Sequence, residues 1–350
     1  MLRILLLPFS FLYGLVTSIR NTLFNYGILK STLFNIPIIS VGNITVGGTG
    51  KTPHVEYLIK LLQEEANLAV LSRGYKRKTK GFVIANNKSS SEDIGDEPKQ
   101  IKRKFPNITV AVDANRVNGV NKLIETGIKT IILDDAFQHR YIKPGLSILL
   151  VDYNRNINKD YLLPYGRLRE STKAKNRADI IIVSKTPVNI KPIDRRLIEK
   201  NLNPRPYQEL YFTGLKYGKL IPVLSDKVSA PLDWGLSTNI FSIVLVTGIA
   251  HTNQLLNYMQ GFSNDIHHLN YPDHTRFTQK KIKKIIHTFN NIKNSKKIII
   301  TTEKDAVKIR ELDISNSDLK YNLFFLPIEV FFIDKDEEFK TQTIKYVRKN

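Results

Sequence analysis

The 350-residue sequence has no cysteine. That excludes a disulfide framework and thiolate metal sites, and it is compatible with the cytoplasm. Internal repeats and low-complexity tracts are also absent, so a repeat array is excluded. No acidic residue precedes Glu56, although Arg3, Arg20, Lys30 and Lys51 all do. The run ILLLPFSFLYGLVTSI (residues 4–19) carries no charge. Pro8 and Gly14 interrupt it, and it falls short of the ~20 residues needed to span a bilayer. No small-residue cleavage site follows, which argues against a signal peptide despite the basic start. The run reads instead as a helix lying in the membrane interface, with apolar residues in lipid and Arg3, Arg20 and Lys30 near anionic headgroups. A buried core helix is the alternative.

Hydrophobic residues make up 42% of the chain, as in a folded globular protein, and the length accommodates two domains. The net charge of +21 calls for anionic partners: nucleic acid, an acidic membrane surface or phosphorylated substrates. Neither aromatic stacking platforms nor a helix-turn-helix signature accompanies that charge, so nucleic acid is not an expected partner. The residues imply no particular protein partner.

Residues 38–53, IISVGNITVGGTGKTP, carry the strongest motif. A β-branched run feeds a glycine-rich loop ending in Gly50-Lys51-Thr52, and Val55, Leu58, Ile59 and Leu62 follow at helical spacing. Strand, glycine loop, Lys-Thr and helix together form the context of a phosphate-binding loop. Gly47, Gly48 and Gly50 let backbone N–H groups turn toward an anion, and the helix start adds the positive end of its dipole. Thr45, Val46 and Thr49 complete the expected ATP-binding loop. Lys51 is placed to reach the β- and γ-phosphates and Thr52 to hold Mg²⁺. Thr45 stands where such loops usually begin with glycine.

Strand-like runs recur at Leu68–Leu71, Ile108–Val112, Thr130–Leu133, Ser147–Val151 and Ile180–Val183, between helical or loop segments. This pattern predicts an α/β fold, a P-loop core with a mostly parallel sheet covered on both faces. Dense proline around Pro187–Pro206 predicts a domain boundary. A second, smaller α/β domain is expected from strand Ile243–Val246, a helix around Lys280–Phe289 and strand Lys297–Thr301. The expected divisions are a membrane-associated helix over 1–30, the core over 31–206, an extended linker over 207–222, the C-terminal domain over 223–323, and a return strand and helix over 324–350. Phe324–Phe332 is a candidate to pair with Tyr207–Leu215.

In KTIILDDAFQHR (129–140), acidic residues end an apolar strand, where P-loop enzymes place carboxylates for Mg²⁺. Asp134 and Asp135 are therefore metal candidates, with Asp152 a weaker rival and a helix cap the alternative. SRGYKRKTKGF (72–82) begins at the carboxyl end of a strand, so Arg73 is a phosphate or headgroup candidate. In EDIGDEP (92–98), Asp96 reads equally as a helix cap or a base. Asp273 and His274 lie in the turn YPDHTRF, and TTEKDAVK (301–308) places a charged cluster after a strand. His267, His268 and His274 fit no common zinc spacing. Ser184-Lys185 is a candidate adenine contact.

Taken in order, SVGNITVGGTGKTP, SRGY-R, GDEP, DD-FQHR, LLPYGRLRE (162–170), PDH (272–274) and TEKDAVK (302–308) resemble one family, the tetraacyldisaccharide 4′-kinases (lipid A 4′-kinases), over most of the chain. The resemblance implies transfer of the ATP γ-phosphoryl group to the 4′-hydroxyl of the acylated glucosamine disaccharide 1-phosphate. The expected location is the cytoplasmic face of the inner membrane, against an anionic surface. It further implies phosphate and Mg²⁺ binding by Lys51, Thr52 and Asp134–Asp135. Asp96 would be the base, supported by His274, and Arg73, Tyr75, Arg116, Gln138 and Arg169 would contact the lipid substrate. The chain departs from the family pattern at Lys76, Ala136, Tyr165 and Arg167, near the expected acceptor side. A membrane-associated P-loop ATPase switch of the partitioning type would share the loop and the apolar helix, but it has no need of the PDH and TEKDAVK segments.

Overall fold

The computed structural model describes residues 2–224, 231, 238–312, 314 and 319–349. The chain divides into two compact units, Met1–Asn87 with Ile101–Lys216 and Val330–Asn350, and Lys88–Gln100 with Tyr217–Glu329. Chain order alone would assign Lys88–Gln100 to the core. It lies in the second unit instead.

A 3-10 turn over Leu2–Leu6 leads into α1 (Leu7–Asn25). Next come β1 (Ile38–Asn43), α2 (Lys51–Leu62), β2 (Leu68–Ser72) and β3 (Val83–Ile84). The excursion into the second unit carries α3 (Ser91–Ile94) and the start of α4 (Asp96–Lys104). The first unit continues with β4 (Thr109–Val112), α5 (Arg116–Glu125), β5 (Thr130–Asp134), β6 (Leu146–Asp152), β7 (Ile180–Ser184), α6 (Pro192–Leu202) and β8 (Glu209–Tyr217). The second unit adds β9 (Ile221–Pro222), β10 (Ser242–Thr247), α7 (Asn253–Gln260), β11 (Ile266–Asn270) and α8 (Gln279–Asn290). It ends with β12 (Lys297–Thr302), α9 (Glu303–Ile309), α10 (Leu319–Asn322) and β13 (Leu323–Leu326), and β14 (Ile328–Phe332) and α11 (Asp336–Lys349) follow.

The first sheet has the order β14-β8-β7-β6-β1-β5-β2-β4-β3. It is parallel from β8 to β4, and β3 is antiparallel to β4. The β-branched runs are buried on both faces, as a parallel sheet under two helical layers requires. On one face Ile38, Leu71, Ala111, Ile131 and Leu133 pack with Val120 and Leu123 of α5. Leu149, Val151, Ile181, Val183 and Phe212 belong to a separate cluster with Ile44 and Phe137. Helix α11 closes the unit: the Tyr346 hydroxyl accepts from Ile38 N at 3.1 Å, and Arg348 pairs with Glu65 at 2.7 Å.

The second sheet runs β11-β10-β12-β13-β9, parallel except for β9. Alternate residues face opposite sides. Val244, Val246 and Ile299 meet Ile282, Ile285 and Phe289 of α8, while Ile243, Leu245 and Ile300 meet Leu255 and Met259 of α7. The pairing expected for Phe324–Phe332 therefore splits, because the run is two strands broken at Pro327. Only β14 lies beside β8, and β13 belongs to the second sheet.

Helix α1 is built inside out. Pro8 sits in its first turn, where proline has no helical N–H to forfeit, so the apolar stretch Ile4–Asn25 runs from the 3-10 turn into α1. These 22 residues are long and apolar enough to cross a membrane, contrary to the shorter extent read from the uncharged run. The inward face is polar. Ser10 Oγ donates to Leu162 O at 3.0 Å and accepts from Tyr165 N at 2.8 Å. Tyr13 donates to Arg169 O at 2.8 Å, and Asn21 donates to Glu170 at 2.9 Å. The Arg20 and Arg140 guanidinium groups lie 5.3 and 5.0 Å from the Phe24 ring centroid. Ile4, Leu5, Leu7, Phe9, Phe11, Leu12, Leu15, Val16 and Ile19 all face outward, Phe11 with 76% of its surface exposed. This is not a buried core helix. The side chain of Arg3 lies outside the described residues.

Candidate active site

In the first unit the phosphate loop leaves β1 at Asn43 and enters α2 at Lys51. Gly47 and Gly50 have φ of +105° and +83°, a region that L side chains adopt only with strain. The segment around Leu168 holds the loop by its backbone: Val46 N donates to Arg167 O and Arg169 N to Ile44 O, both at 2.8 Å. Asn43 Nδ2 donates to the buried Thr49 hydroxyl at 2.8 Å.

Four carbonyls of the loop are engaged by side chains from elsewhere. Arg155 donates to Val46 O at 2.8 Å and Ser184 Oγ to Thr49 O at 2.8 Å. Lys185 Nζ donates to Gly48 O and pairs with Asp152 at 2.7 Å. His54 Nδ1 lies 2.7 Å from Gly50 O and Nε2 lies 2.9 Å from the Thr213 hydroxyl. Because a carbonyl only accepts, Nδ1 carries the proton and Nε2 accepts from Thr213. Burial pushes the His54 pKa down to about 4, only partly offset by the bond to Gly50, so the ring is neutral. Val46 N is already bonded to Arg167 O, so the N–H groups that follow it in the loop are the candidates for an anion. Asp152, the weaker metal rival, is thus the partner of Lys185, and Ser184-Lys185 contacts the loop backbone.

Beside the loop, β5 ends in Asp134, which is buried and accepts from Ser72 Oγ at 3.3 Å. Asp135 follows at φ +48° and pairs with Arg169 at 2.9 Å and with Lys51 at 3.6 Å. Burial opposes its ionisation, but Lys51 and Arg169 outweigh burial and hold the carboxyl below its usual range. Arg116, at the start of α5, has only 4% of its surface exposed, and its Nε has no protein partner. Burial and the nearby Arg73 pull its pKa down to about 10, while Asp134 and Asp135 act the other way. Gln138 Nε2 donates to Asn43 O at 2.7 Å, and its Oε1 accepts from Arg169 at 3.3 Å. Burial and the charges of Arg116, Arg20 and Arg73 push the His139 pKa down to about 4. Arg169 and Gln138 are thus joined beside Asp135, and the charge of Arg116 acts on Asp135 as well. Tyr75 is exposed, with Lys76 Nζ 5.5 Å from its ring centroid. Within the basic run, Arg77 donates to Val112 O at 3.3 Å, a structural contact.

The second unit holds a separate cluster. Asp96 is the first residue of α4, directly after Gly95 at φ +94°. Its Oδ2 lies 3.2 Å from Nδ1 of His274, itself at φ +59° in the Pro272–Thr275 turn. Burial works against an ionised Asp96. The hydrogen bond from His274 and the charges of Lys308 and Lys304 outweigh it and hold the carboxyl below its usual range. Lys308 stands 3.7 Å from Asp96 and 3.0 Å from the buried Asp305, which also accepts from Gly248 N at 2.7 Å. The other two histidines have their own partners, His267 with Asp265 and His268 with Thr247.

Arg155, Lys185 and His54 were not singled out as loop-holding residues by sequence reasoning. Only His54 has a local signal, its position four residues after the Gly50 carbonyl it contacts.

The family model described as LpxK, tetraacyldisaccharide-1-P 4′-kinase, matches residues 2–348. A tetraacyldisaccharide 4′-kinase of Bacteroides thetaiotaomicron is 47% identical, over 99% of this chain and 93% of its own length. One of Phocaeicola vulgatus is 49% identical, over 99% and 95%. The crystal structure of LpxK from Aquifex aeolicus in complex with ATP matches with a TM-score of 0.77 at 30% identity, covering 99% of this chain and 100% of that one.

Proposed function

The chain belongs to the tetraacyldisaccharide-1-P 4′-kinase family, and on that premise we propose how its own residues divide the work of an ATP-dependent lipid A 4′-kinase. The substrate class is the lipid A disaccharide phosphate, and ATP is the phosphoryl donor. The observation that carries the reading is the phosphate loop whose carbonyls are tied back by Arg155, Lys185, Ser184 and His54.

Loop N–H groups and Lys51 bind the β- and γ-phosphates, and Lys51 exchanges its contact with Asp135 for them. Phosphoryl transfer requires positioning and charge neutralisation more than covalent chemistry. For Mg²⁺ the donor set fits: the Thr52 hydroxyl and the buried Asp134 carboxylate are hard oxygen ligands, few enough to leave room for substrate phosphates. When bound, the ion would neutralise charge developing on the transferred group. Asp135, engaged by Arg169 and Lys51, orients those cations. Arg116, with its buried unpartnered Nε, and Arg73 bind acceptor phosphate. Asp96, kept ionised by His274, Lys308 and Lys304, takes the proton of the 4′-hydroxyl. The outward apolar face of α1 lies in the membrane at its cytoplasmic surface, where the lipid resides.

Mass spectrometry of the disaccharide 1-phosphate after incubation with Mg-ATP tests the reading. One added phosphate on the 4′ position is expected. Lys51→Ala should lower the yield at least 10²-fold, the scale of losing one preorganised charge contact. ATP hydrolysis that proceeds without any phosphorylated lipid would favour the ATPase switch, which the full-length family match does not support.

A further inference from the structure

A helix that only anchors a protein to lipid needs no particular partners on its inner side, yet α1 bonds to the two segments that carry Gln138 and Arg169. Ser10, Tyr13, Arg20, Asn21 and Phe24 recur at helical spacing along one stripe of it. From that stripe Tyr13 donates to Arg169 O at 2.8 Å, Asn21 to Glu170 at 2.9 Å and Arg20 to Gln138 O at 3.1 Å. Arg140, just beyond Gln138, donates back to Asn21 O at 2.8 Å.

These bonds converge on Arg169. Its N–H donates to Ile44 O, where the chain enters the phosphate loop, at 2.8 Å, and its carbonyl accepts from Tyr13. The two peptides flanking its Cα are therefore both fixed, one by the loop and the other by the helix. Backbone dihedrals restrict the rotamers open to a side chain, so the same two bonds aim the guanidinium. It meets the Asp135 oxygens at 2.9 and 3.2 Å and Gln138 Oε1 at 3.3 Å, and Asp135 lies 3.6 Å from Lys51. Because a carbonyl only accepts, the Tyr13 phenol must be the donor. Burial and the Glu170 carboxylate push its pKa up, against Arg169 and Arg20, so it keeps that proton.

We propose that Tyr13 is a positioning residue for phosphoryl transfer: it fixes the backbone of Arg169 and, through the Arg169 guanidinium, the Asp135 carboxylate beside Lys51. Helix α1 is then a brace of the nucleotide site as well as a lipid-facing element. The proposal rests on the part given above to Lys51, Asp135 and Arg169.

The test uses full-length protein in detergent micelles containing the disaccharide 1-phosphate, so that docking to a bilayer does not enter the rate. Tyr13→Phe deletes one hydroxyl and keeps the ring. It should lower kcat/KM for ATP about tenfold, short of the ~10²-fold that a full 1 Å misplacement brings. Sedimentation with zwitterionic vesicles should stay unchanged. A double-mutant cycle with Arg169→Met separates positioning from a general loosening of the fold. If the hydroxyl acts through Arg169, it no longer matters once the guanidinium is gone, and Tyr13→Phe should then change kcat/KM by no more than about twofold in the Arg169→Met background. A hydroxyl that merely holds the fold together would cost the same factor in both backgrounds. Equal losses in the two backgrounds overturn the proposal, as do wild-type kinetics in Tyr13→Phe beside an impaired Arg169→Met, and both results leave the roles of Arg169 and Asp135 standing. Wild-type kinetics in Arg169→Met would instead overturn those roles, and the route from Tyr13 with them.

Discussion

Lys185 ties the Gly48 carbonyl to the buried Asp152 carboxylate, 2.7 Å away, and so fixes the loop through its backbone. Neutralising it has two separable effects. Lys185→Met leaves Asp152 charged and unpaired in the interior, a loss on the order of 3 kcal/mol when a buried pair is broken from one side. It also frees the Gly48 peptide to rotate. A misplaced donor weakens binding, so KM for ATP should rise about tenfold, below the ~10²-fold that a full 1 Å displacement at the reacting centre can cause. Steady-state kinetics and a denaturant titration measure the two effects. The double variant Lys185→Met with Asp152→Asn should recover most of the stability but not the KM. Recovery of both would make the clamp purely structural. His54 is another tie of this kind, and its neutral ring means that this part of the loop's support should not change between pH 5 and 8.

At the scale of elements, helix α1 reverses the usual arrangement of a surface helix, with Ser10, Tyr13 and Asn21 inward and Phe11, Leu12 and Leu15 outward. Burial of each outward side chain is worth roughly 1.5–3 kcal/mol, a driving force available only from lipid or another apolar surface. Phe11→Glu with Leu15→Glu should abolish sedimentation with zwitterionic vesicles while leaving the melting temperature unchanged. Ser10→Leu, which removes two hydrogen bonds to the 162–165 segment, should lower the melting temperature instead. The opposite pattern would make the outer face a folding surface. The strands were legible because their β-branched runs are buried on both faces: β2, β4, β5, β6 and β7 fall within a residue of the runs read from the sequence. The carbonyl clamp was not legible, because Arg155 and Lys185 lie more than a hundred residues from the loop and reach it only through sheet order. The polar lining of α1 was hidden for a related reason. Ser10 and Asn21 find partners at Leu162 and Glu170, so composition revealed the apolar face without its inward counterpart.

For the whole molecule, the net charge of +21 and the outward face of α1 predict two contributions to membrane affinity that respond differently to salt. Charge attraction to anionic headgroups is screened as the Debye length falls from about 10 Å at 0.1 M salt to about 3 Å at 1 M. Apolar insertion is not screened. Binding to anionic vesicles should therefore weaken steeply between these concentrations and level off at the affinity measured for zwitterionic vesicles. For Phe11→Glu with Leu15→Glu, high salt should release the protein completely. The plateau measures α1, and the slope measures the charge. If wild-type binding falls to nothing at 1 M salt, the helix does not enter lipid and the charge alone holds the enzyme at its substrate. If binding is insensitive to salt, the excess of Lys and Arg has no part in membrane attachment, and its role narrows to the arginine cluster around Asp134 and Asp135.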